Sequence, residues 1–178
     1  MTDIRRWSHR EFPTALQWQA VSFIRTVWPF VDGGELREAY PAAVRPTYYT
    51  VTQHDDLLVS FAATYTAQVA VDDLTLTAAC LGNVFTFPAA RRNGFGRQVV
   101  EAATGDIRRS GVDVAALLCD ETLRPFYEAS GWQAVPGSTI TGDGEVLHAL
   151  RMMLFVSEAA RAARQDLTTR PLTVPSGW

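Results

Sequence analysis

The sequence predicts an α/β (α+β) chain: a mixed central sheet with antiparallel N-terminal strands and a βαβ core, flanked by helices. Three observations predict it. Two apolar and β-branched runs, 48–53 and 57–69, flank the turn His54-Asp55-Asp56, as in an antiparallel hairpin. A strand over 74–86 runs into a glycine turn that opens an amphipathic helix. The apolar run 112–118 then follows without alternation, the pattern of a strand covered on both faces. Strand, helix, strand with a short second loop calls for a parallel crossover.

The remaining elements follow in order. Thr14-Ala15-Leu16-Gln17 fits a capping box, and Leu16, Ala20, Phe23, Ile24 and Val27 recur at the spacing of a buried helical face. Pro29 stops that helix. A short helix is expected over 34–40, ended by Pro41, and the loop 30–35 is acidic and flexible enough to line a site. Asp72-Asp73 marks the turn before the strand 74–86. The helix 94–109 places Phe95, Val99, Ala102, Ala103 and Ile107 on one face, and Gly111 ends it. A second helix over 123–130 closes at Gly131, and 132–135 begins another strand. Gly142-Asp143-Gly144 turns the chain into a long strand over 146–156. Residues 157–166 read as a helix, and the tail 168–178 shows no periodicity.

At 178 residues the chain reads as a single domain over 1–178, with a core at about 74–135 and a C-terminal helix and tail at 157–178. It is 47% hydrophobic and 20% charged, with a net charge of −3 and a pI near 5.6. This balance argues against a nucleic-acid binder, which would show a basic face. No run approaches the roughly 18 apolar residues of a membrane span. The first residues lack the apolar core of a signal peptide, so the cytoplasm is the expected location. Cys80 and Cys119 have no metal-ligand spacing and read as buried free thiols; no metal is expected.

The most informative stretch is Val84-Phe85-Thr86-Phe87-Pro88-Ala89-Ala90-Arg91-Arg92-Asn93-Gly94-Phe95-Gly96-Arg97. Glycines at 94 and 96 allow a tight turn and a close approach of backbone to a ligand. The helix that follows offers unpaired N–H groups and the positive end of its dipole, a seat for phosphate. A P-loop is excluded because no Gly-Lys-Ser/Thr follows, and a dinucleotide fingerprint lacks its third glycine. Alone, such a turn is a weak signal. One strand further on stands Phe126-Tyr127-Glu128-Ala129-Ser130-Gly131-Trp132, preceded by Asp120 and Leu123. A glycine-turn helix, a buried strand and then Phe-Tyr-x-x-x-Gly-Trp resembles the GNAT N-acetyltransferase superfamily over about 74–135.

The resemblance implies a GNAT-type acyl-CoA N-acyltransferase fold and acetyl-CoA as co-substrate. The strand ending at Thr86 would splay from the strand 112–118, with acetyl-CoA in the gap. The amide of Val84 would polarise the thioester carbonyl, and the backbone of Phe85 and Thr86 would run along the pantetheine arm. Arg91, Arg92, Asn93, Gly94, Phe95 and Gly96 would wrap the pyrophosphate, with charge from Arg92 or Arg97. Asp120 stands where many members have an Asn that contacts the cofactor arm. Tyr127 matches the tyrosine that protonates the departing thiolate, while Phe126 and Trp132 read as core. The acceptor would be a small-molecule amine, and homodimers are common in the superfamily. The physics agrees: an aimed amide stabilises an oxyanion, and a phenol is a proton source for a thiolate.

One departure concerns the general base. Many relatives place an acid on the strand before the loop, where this chain has Cys80-Leu81-Gly82-Asn83. Asp32, Glu35, Glu121 and the Trp178 carboxylate are candidates, as are His54 and His148, and none is assigned. A fainter resemblance joins Tyr127-x-x-x-Gly131-Trp132, Pro136-Gly137-Ser138-Thr139 and the tail to aminoglycoside 2′-N-acetyltransferases, with Asp143 and Glu145 as an acidic rim. The missing acid also motivates a second reading, a catalytically inactive module that senses acyl-CoA. A third is a small α/β domain acting through protein contacts.

Overall fold

The computed structural model describes residues 3–27, 45–54, 56–136, 140–142, 145–147 and 149–173. Two compact units are present: Met1–Tyr65 with Asn83–Ala103, and Thr66–Gly82 with Thr104–Trp178.

In the first unit, β1 (Asp3–Ser8) pairs antiparallel with β2 (Thr47–Gln53), from Asp3↔Thr52 to Ser8↔Thr47. β2 pairs antiparallel with the first part of β3 (Leu57–Val71), with a register shift between Val51 and Thr52. The hairpin is therefore as expected. Its turn holds His54 and Asp56 at φ of 42° and 69°. Helix α1 (Thr14–Val27) buries Leu16 and Ala20 against Tyr48, Leu58, Phe61 and Ala63. Gln19 pins the hairpin to it, donating to the Asp56 carbonyl at 3.0 Å and accepting from the Leu58 N–H at 2.8 Å. The first helical hydrogen bond of α1 runs from the Gln17 N–H to the Pro13 carbonyl at 2.9 Å, so Pro13 takes the cap position and Thr14, the expected cap, is the first helical residue.

β1 was not expected. Its six residues hold two large apolar side chains and three charges, and four of the six are exposed. Such a strand forms through its backbone ladder rather than through burial, so hydropathy patterning carries no trace of it. The short helix expected over 34–40, the end of the first helix at Pro29, the loop 30–35 with Asp32 and Glu35, and Trp28 lie outside the described residues.

The second unit holds the rest of β3, β4 (Leu74–Thr86) as far as Gly82, β5 (Val114–Cys119), β6 (Gln133–Val135), β7 (Ile140–Gly142), β8 (Glu145–Leu147), β9 (Leu150–Phe155) and β10 (Leu172–Thr173). The strand order is β6-β9-β5-β4-β3-β10-β7-β8. β4 and β5 pair in parallel at Ala78↔Val114, Ala79↔Ala115 and Cys80↔Ala116, the expected crossover. β9 runs antiparallel to both β5 and β6. Asp113 ties three chain segments at the base of β5. Its carboxylate accepts from the Thr77 N–H at 3.0 Å, and its carbonyl accepts from the amides of Val156 and Ser157 at 2.8 and 3.0 Å.

Helix α2 (Phe95–Arg109) provides the crossover, buries Val99, Val100, Ala103 and Ile107, and is followed by Gly111 at φ 78°. Residues 123–130 are shorter as a helix than expected: a 3-10 turn over Glu121–Leu123 precedes α3 (Arg124–Glu128). Pro125 suits the first turn of a helix, which fixes where α3 can start. The long strand over 146–156 is corrected to β8 and β9, and β8 returns along β7 as a hairpin. The helix over 157–166 is corrected to α4 (Glu158–Ala162) and α5 (Arg164–Thr169), broken at Ala163, with Ser157 accepting from the Ala160 N–H as cap of α4. The tail is not all irregular. β10 pairs with β3 and β7, Leu172 is buried, and Arg170 is ion-paired with Asp72 and with Asp166 at 3.2 Å. The core of this unit joins Val69, Leu76, Ala78, Val114, Ala116, Val135 and Met153 to Ala160, Leu167 and Leu172. Both cysteines are buried and neither is in a disulfide.

Candidate active site

Ten of the expected residues, Val84 to Thr86 and Arg91 to Arg97, lie in the first unit. Asn83 has φ 52° inside β4, a left-handed residue within a strand. That is the backbone signature of a bulge, which bends a strand and re-aims the groups beside it. Val84 follows directly and is half-buried, and Phe85 is buried. The Phe85 ring stacks on Phe23 of α1 at 4.4 Å, and Phe23 also meets Phe87 at 5.9 Å. Ser60 donates to the Phe85 carbonyl at 2.9 Å and shares a hydrogen bond with the Thr86 hydroxyl at 2.9 Å. The Phe87 N–H donates to the Val59 carbonyl at 2.9 Å. The end of β4 is thus held along its β3 edge by hydrogen bonds and by Phe23 of α1 against its phenylalanine rings. Sequence reading missed Asn83 and Ser60. The available signal was that Asn tolerates the left-handed region better than most residues.

The loop beyond it is built to turn. Pro88–Ala90 form a 3-10 turn. Arg91 Nε donates to the Thr86 carbonyl at 3.2 Å, closing the loop on the strand it left. Asn93 Nδ2 donates to the carbonyls of Ala90 and Arg91 at 3.1 and 3.2 Å. Arg92 and Gly94 have φ of 65° and 80°. The N–H of Gln98 bonds to the Gly94 carbonyl at 3.1 Å, which sets Gly94 as the entry to α2 and moves the helix start to Phe95. Arg91, Arg92, Asn93, Gly94 and Arg97 are exposed, while Phe95 and Gly96 are half-buried. Successive amides around left-handed residues at the start of a fifteen-residue helix make a concavity suited to an anion.

The second unit holds the other named residues. Tyr127 of α3 is 5% exposed, and burial raises its phenol above the usual value, with Cys119 adding to the rise. The Tyr127 carbonyl accepts from the amides of Ser130 and Trp132, at 2.9 and 3.3 Å. These bonds wind the chain through Gly131, at φ 87°, and hold the end of α3. Trp132 is core, as expected, and Phe126 is half-buried with its ring edge-on to Tyr127 at 4.9 Å. Asp120 is exposed and caps the 3-10 turn: its Oδ1 accepts from the Thr122 N–H at 2.8 Å and from the Thr122 hydroxyl at 2.6 Å. Those bonds hold its carboxyl below the usual range. Beyond Cys80↔Ala116 the β4–β5 ladder stops, although β5 runs on to Cys119.

The family model for an acetyltransferase (GNAT) domain matches residues 3–135. The chain belongs to the GNAT acetyltransferase family. Among solved structures, this GNAT chain is similar to the N-acetyltransferase YhbS of Escherichia coli, determined in complex with CoA. The TM-score is 0.67 at 13% identity, over 99% of this chain and 91% of that one. It is also similar to ElaA of Escherichia coli, with a TM-score of 0.60 and 18% identity over 86% and 99% of the two chains. A probable N-acyltransferase from Enterococcus faecalis matches with a TM-score of 0.61 and 14% identity over 76% of this chain, which spans only 33% of that protein. At these identities the likeness shows the fold: the mixed sheet and flanking helices of the acyl-CoA N-acyltransferases. No curated protein sequence matches the chain.

The candidate bases are thinly represented. Glu121 is exposed and lies 3.6 Å from Arg124, and His54 is exposed in the β2–β3 turn. Asp32, Glu35, Asp143, His148 and Trp178 lie outside the described residues. Among the described residues no cluster of His, Cys, Asp and Glu could hold a metal, and no helix is long and apolar enough to cross a membrane.

Proposed function

We propose that the chain is an N-acetyltransferase that passes the acetyl group of acetyl-CoA to a primary amine of a small molecule. The transfer is by direct attack in a ternary complex, without a metal and within one domain spanning 1–178. The observation that carries this reading is the turn from Arg91 to Gly96. Two left-handed residues and an exposed helix N-terminus form an amide-lined seat of the kind that takes a pyrophosphate. Its residues fit that group: the glycine leaves the backbone open, and Arg92 and Arg97 add exposed positive charge.

Acetyl-CoA supplies the acetyl thioester. The Val84 N–H donates to the thioester carbonyl oxygen as charge develops on it. The backbone of Phe85 and Thr86 runs along the pantetheine arm, and Asp120 takes the part of the Asn that contacts the cofactor arm in many members of the family. The neutral amine nitrogen forms the new C–N bond and the C–S bond breaks. The Tyr127 hydroxyl gives its proton to the sulfur, and the proton lost by the amine passes to solvent, from which the phenol is restored. Burial suits Tyr127 to this: its phenol keeps its proton through the neutral range. The same apolar surroundings disfavour the thiolate and so raise its proton affinity. A cytoplasmic setting and a homodimer belong to the same proposal and rest on the family likeness.

Mass-spectrometric acetylation of an amine panel tests the reading. Aminoglycosides, polyamines, amino acids and short peptides are incubated with acetyl-CoA beside Tyr127→Phe. A product whose rate drops about 10²- to 10⁴-fold in the variant supports the transfer and the acid. Acetyl-CoA binding with no product from any amine favours the acyl-CoA sensor, for which the lack of an acid at Gly82 speaks.

A further inference from the structure

Asn93 is followed directly by Gly94 in the loop between β4 and α2, and both are exposed. A carboxamide next to a glycine lets the following backbone nitrogen attack the side-chain carbonyl carbon, because glycine has no side chain to hinder the approach. Space is open as well: a Cβ built on Gly94 meets no atom within 4 Å. The Gly94 carbonyl accepts from Gln98, whereas the Gly94 N–H has no hydrogen-bond partner among the described residues. The nucleophile is therefore unmasked. Asn83, the only other asparagine, is half-buried within β4 and precedes the β-branched Val84.

Electrostatics favour the same attack. The reactive form of the nitrogen is its anion, and bond formation builds an oxyanion on the Asn93 carboxamide. Both negative charges develop at the N-terminus of the fifteen-residue α2, on a loop that carries the exposed Arg91, Arg92 and Arg97. The positive end of the helix dipole and the three cations stabilise them. An unbonded amide, a bare glycine and a positive field suit this turn to a phosphate. The same three features speed a reaction inside the turn when no phosphate is there.

We propose that Asn93 is a site of spontaneous modification, converted through a succinimide with Gly94 to aspartate or isoaspartate, and that the conversion disables the anion seat. The Gly94 nitrogen, having lost its proton to hydroxide, bonds to Asn93 Cγ. The Cγ–Nδ2 bond breaks, and the nitrogen takes up a proton and leaves as ammonia. Water then opens the ring. Cleavage at Cγ gives aspartate, and cleavage at the main-chain carbonyl carbon gives isoaspartate, with one more methylene in the backbone. Either product removes the donors that close the loop: Asn93 Nδ2 now donates to the carbonyls of Ala90 and Arg91 at 3.1 and 3.2 Å. A carboxylate has no hydrogen to give and repels both carbonyls. It also puts a negative charge where an anion is to sit. Bound CoA holds the reaction off, because its pyrophosphate occupies the Gly94 N–H and cancels the field; this protection rests on the cofactor reading above, and the modification itself does not.

The test is ageing of the full chain at 37 °C and pH 8.5, followed by peptide mapping that separates aspartate from isoaspartate. A synthetic peptide spanning 88–98 is the reference. Both products are expected at position 93, with Asn83 intact. CoA affinity, read by calorimetry, is expected to fall as conversion proceeds, and to be about tenfold weaker in Asn93→Asp than in fresh wild type. Asn93→Gln would have to close a slower six-membered ring, so its own affinity is expected to hold through the same ageing. CoA at about ten times its Kd is expected to slow conversion about tenfold, since only the unbound chain reacts. An intact Asn93 when the peptide has fully converted overturns the site. Conversion that leaves CoA affinity unchanged, or equal affinities for Asn93→Asp and wild type, overturns its effect on the seat. Equal rates with and without bound CoA overturn the placing of the pyrophosphate at Gly94 while the modification stands. No CoA binding by the fresh chain overturns the cofactor reading, and the peptide map still decides the modification.

Discussion

Trp132 donates its indole Nε1–H to the Thr104 hydroxyl at 3.0 Å, and the tryptophan is 2% exposed. The bond ties the segment after α3 to the later turns of α2, and Arg108 Nη2 reinforces it by donating to the Ser130 carbonyl at 3.2 Å. Trp132→Phe keeps most of the ring burial and removes the donor, leaving a buried hydroxyl on Thr104. The expected loss is about 1–3 kcal/mol. Thr104→Val on the Trp132→Phe background is expected to restore part of it, because both polar partners are then gone. Urea midpoints of the two single variants and the double variant check this.

Adding one methyl group at two glycines should have opposite effects. A Cβ at Gly82 or at Gly94 meets no atom within 4 Å. Gly82 lies in β4, where alanine removes unfolded-chain entropy, so Gly82→Ala is expected to stabilise by about 0.4–1 kcal/mol. Gly94 has φ 80°, where an L side chain is strained, so Gly94→Ala is expected to destabilise by about 1–2 kcal/mol. It is also expected to weaken acyl-CoA binding. Thermal melts rank the two, and calorimetry with CoA reads the binding. Equal and same-signed shifts would remove backbone strain as the reason for a glycine at 94.

Exposed cations at the loop should act as a screened field. Arg92→Ala and Arg97→Ala are each expected to weaken CoA binding a few-fold at low salt. The difference from wild type should shrink as salt rises toward physiological strength. Arg91→Ala is expected to behave differently, because Arg91 closes the loop on the Thr86 carbonyl and its loss loosens the turn at any ionic strength. Titrations at two salt concentrations separate the two behaviours.

Stability should fall in mild alkali. Burial, then Glu121 and Asp120, push the Cys119 thiol up from 9.0 to about 11. The folded state holds this proton more tightly than the unfolded chain. Unfolding between about pH 9 and 11 therefore releases a proton, and stability drops as pH rises through that window. Below pH 9 the thiol is protonated in both states and its contribution is constant. Tyr127, raised in the same sense, adds to the loss above about pH 10. Urea midpoints at pH 8, 9.5 and 10.5 should decline in wild type, and Cys119→Ala should flatten the step from 8 to 9.5.

The parts legible in the sequence are those where burial writes a pattern. β4 was expected at its observed bounds, and the buried run of β5 gave the crossover, because strands covered on both faces are continuously apolar. The glycine turn was legible because positive φ restricts residue choice at Gly94. Other features leave no pattern. β10 is two residues long, and what places it is Leu172 in a distant core and the ion pairs of Arg170. The break at Ala163 between α4 and α5 comes from packing, since alanine is the best helix former. Arg151 reads in sequence as one more cation beside two methionines; its burial and its orphaned donors are properties of the fold alone.

β1 carries a consequence for behaviour in solution. β2 is almost wholly buried and rich in aromatic and β-branched residues, and β1 occupies one of its two hydrogen-bonding edges. With Asp3, Arg5 and Arg6 along it, β1 offers passing chains a charged border instead of a sticky one. A chain lacking residues 1–8 would expose the edge of β2 as a template for strand addition. Light scattering is expected to show it clustering at concentrations where the full chain stays dispersed. The least apolar strand of the fold would then be the one that keeps copies of the molecule apart.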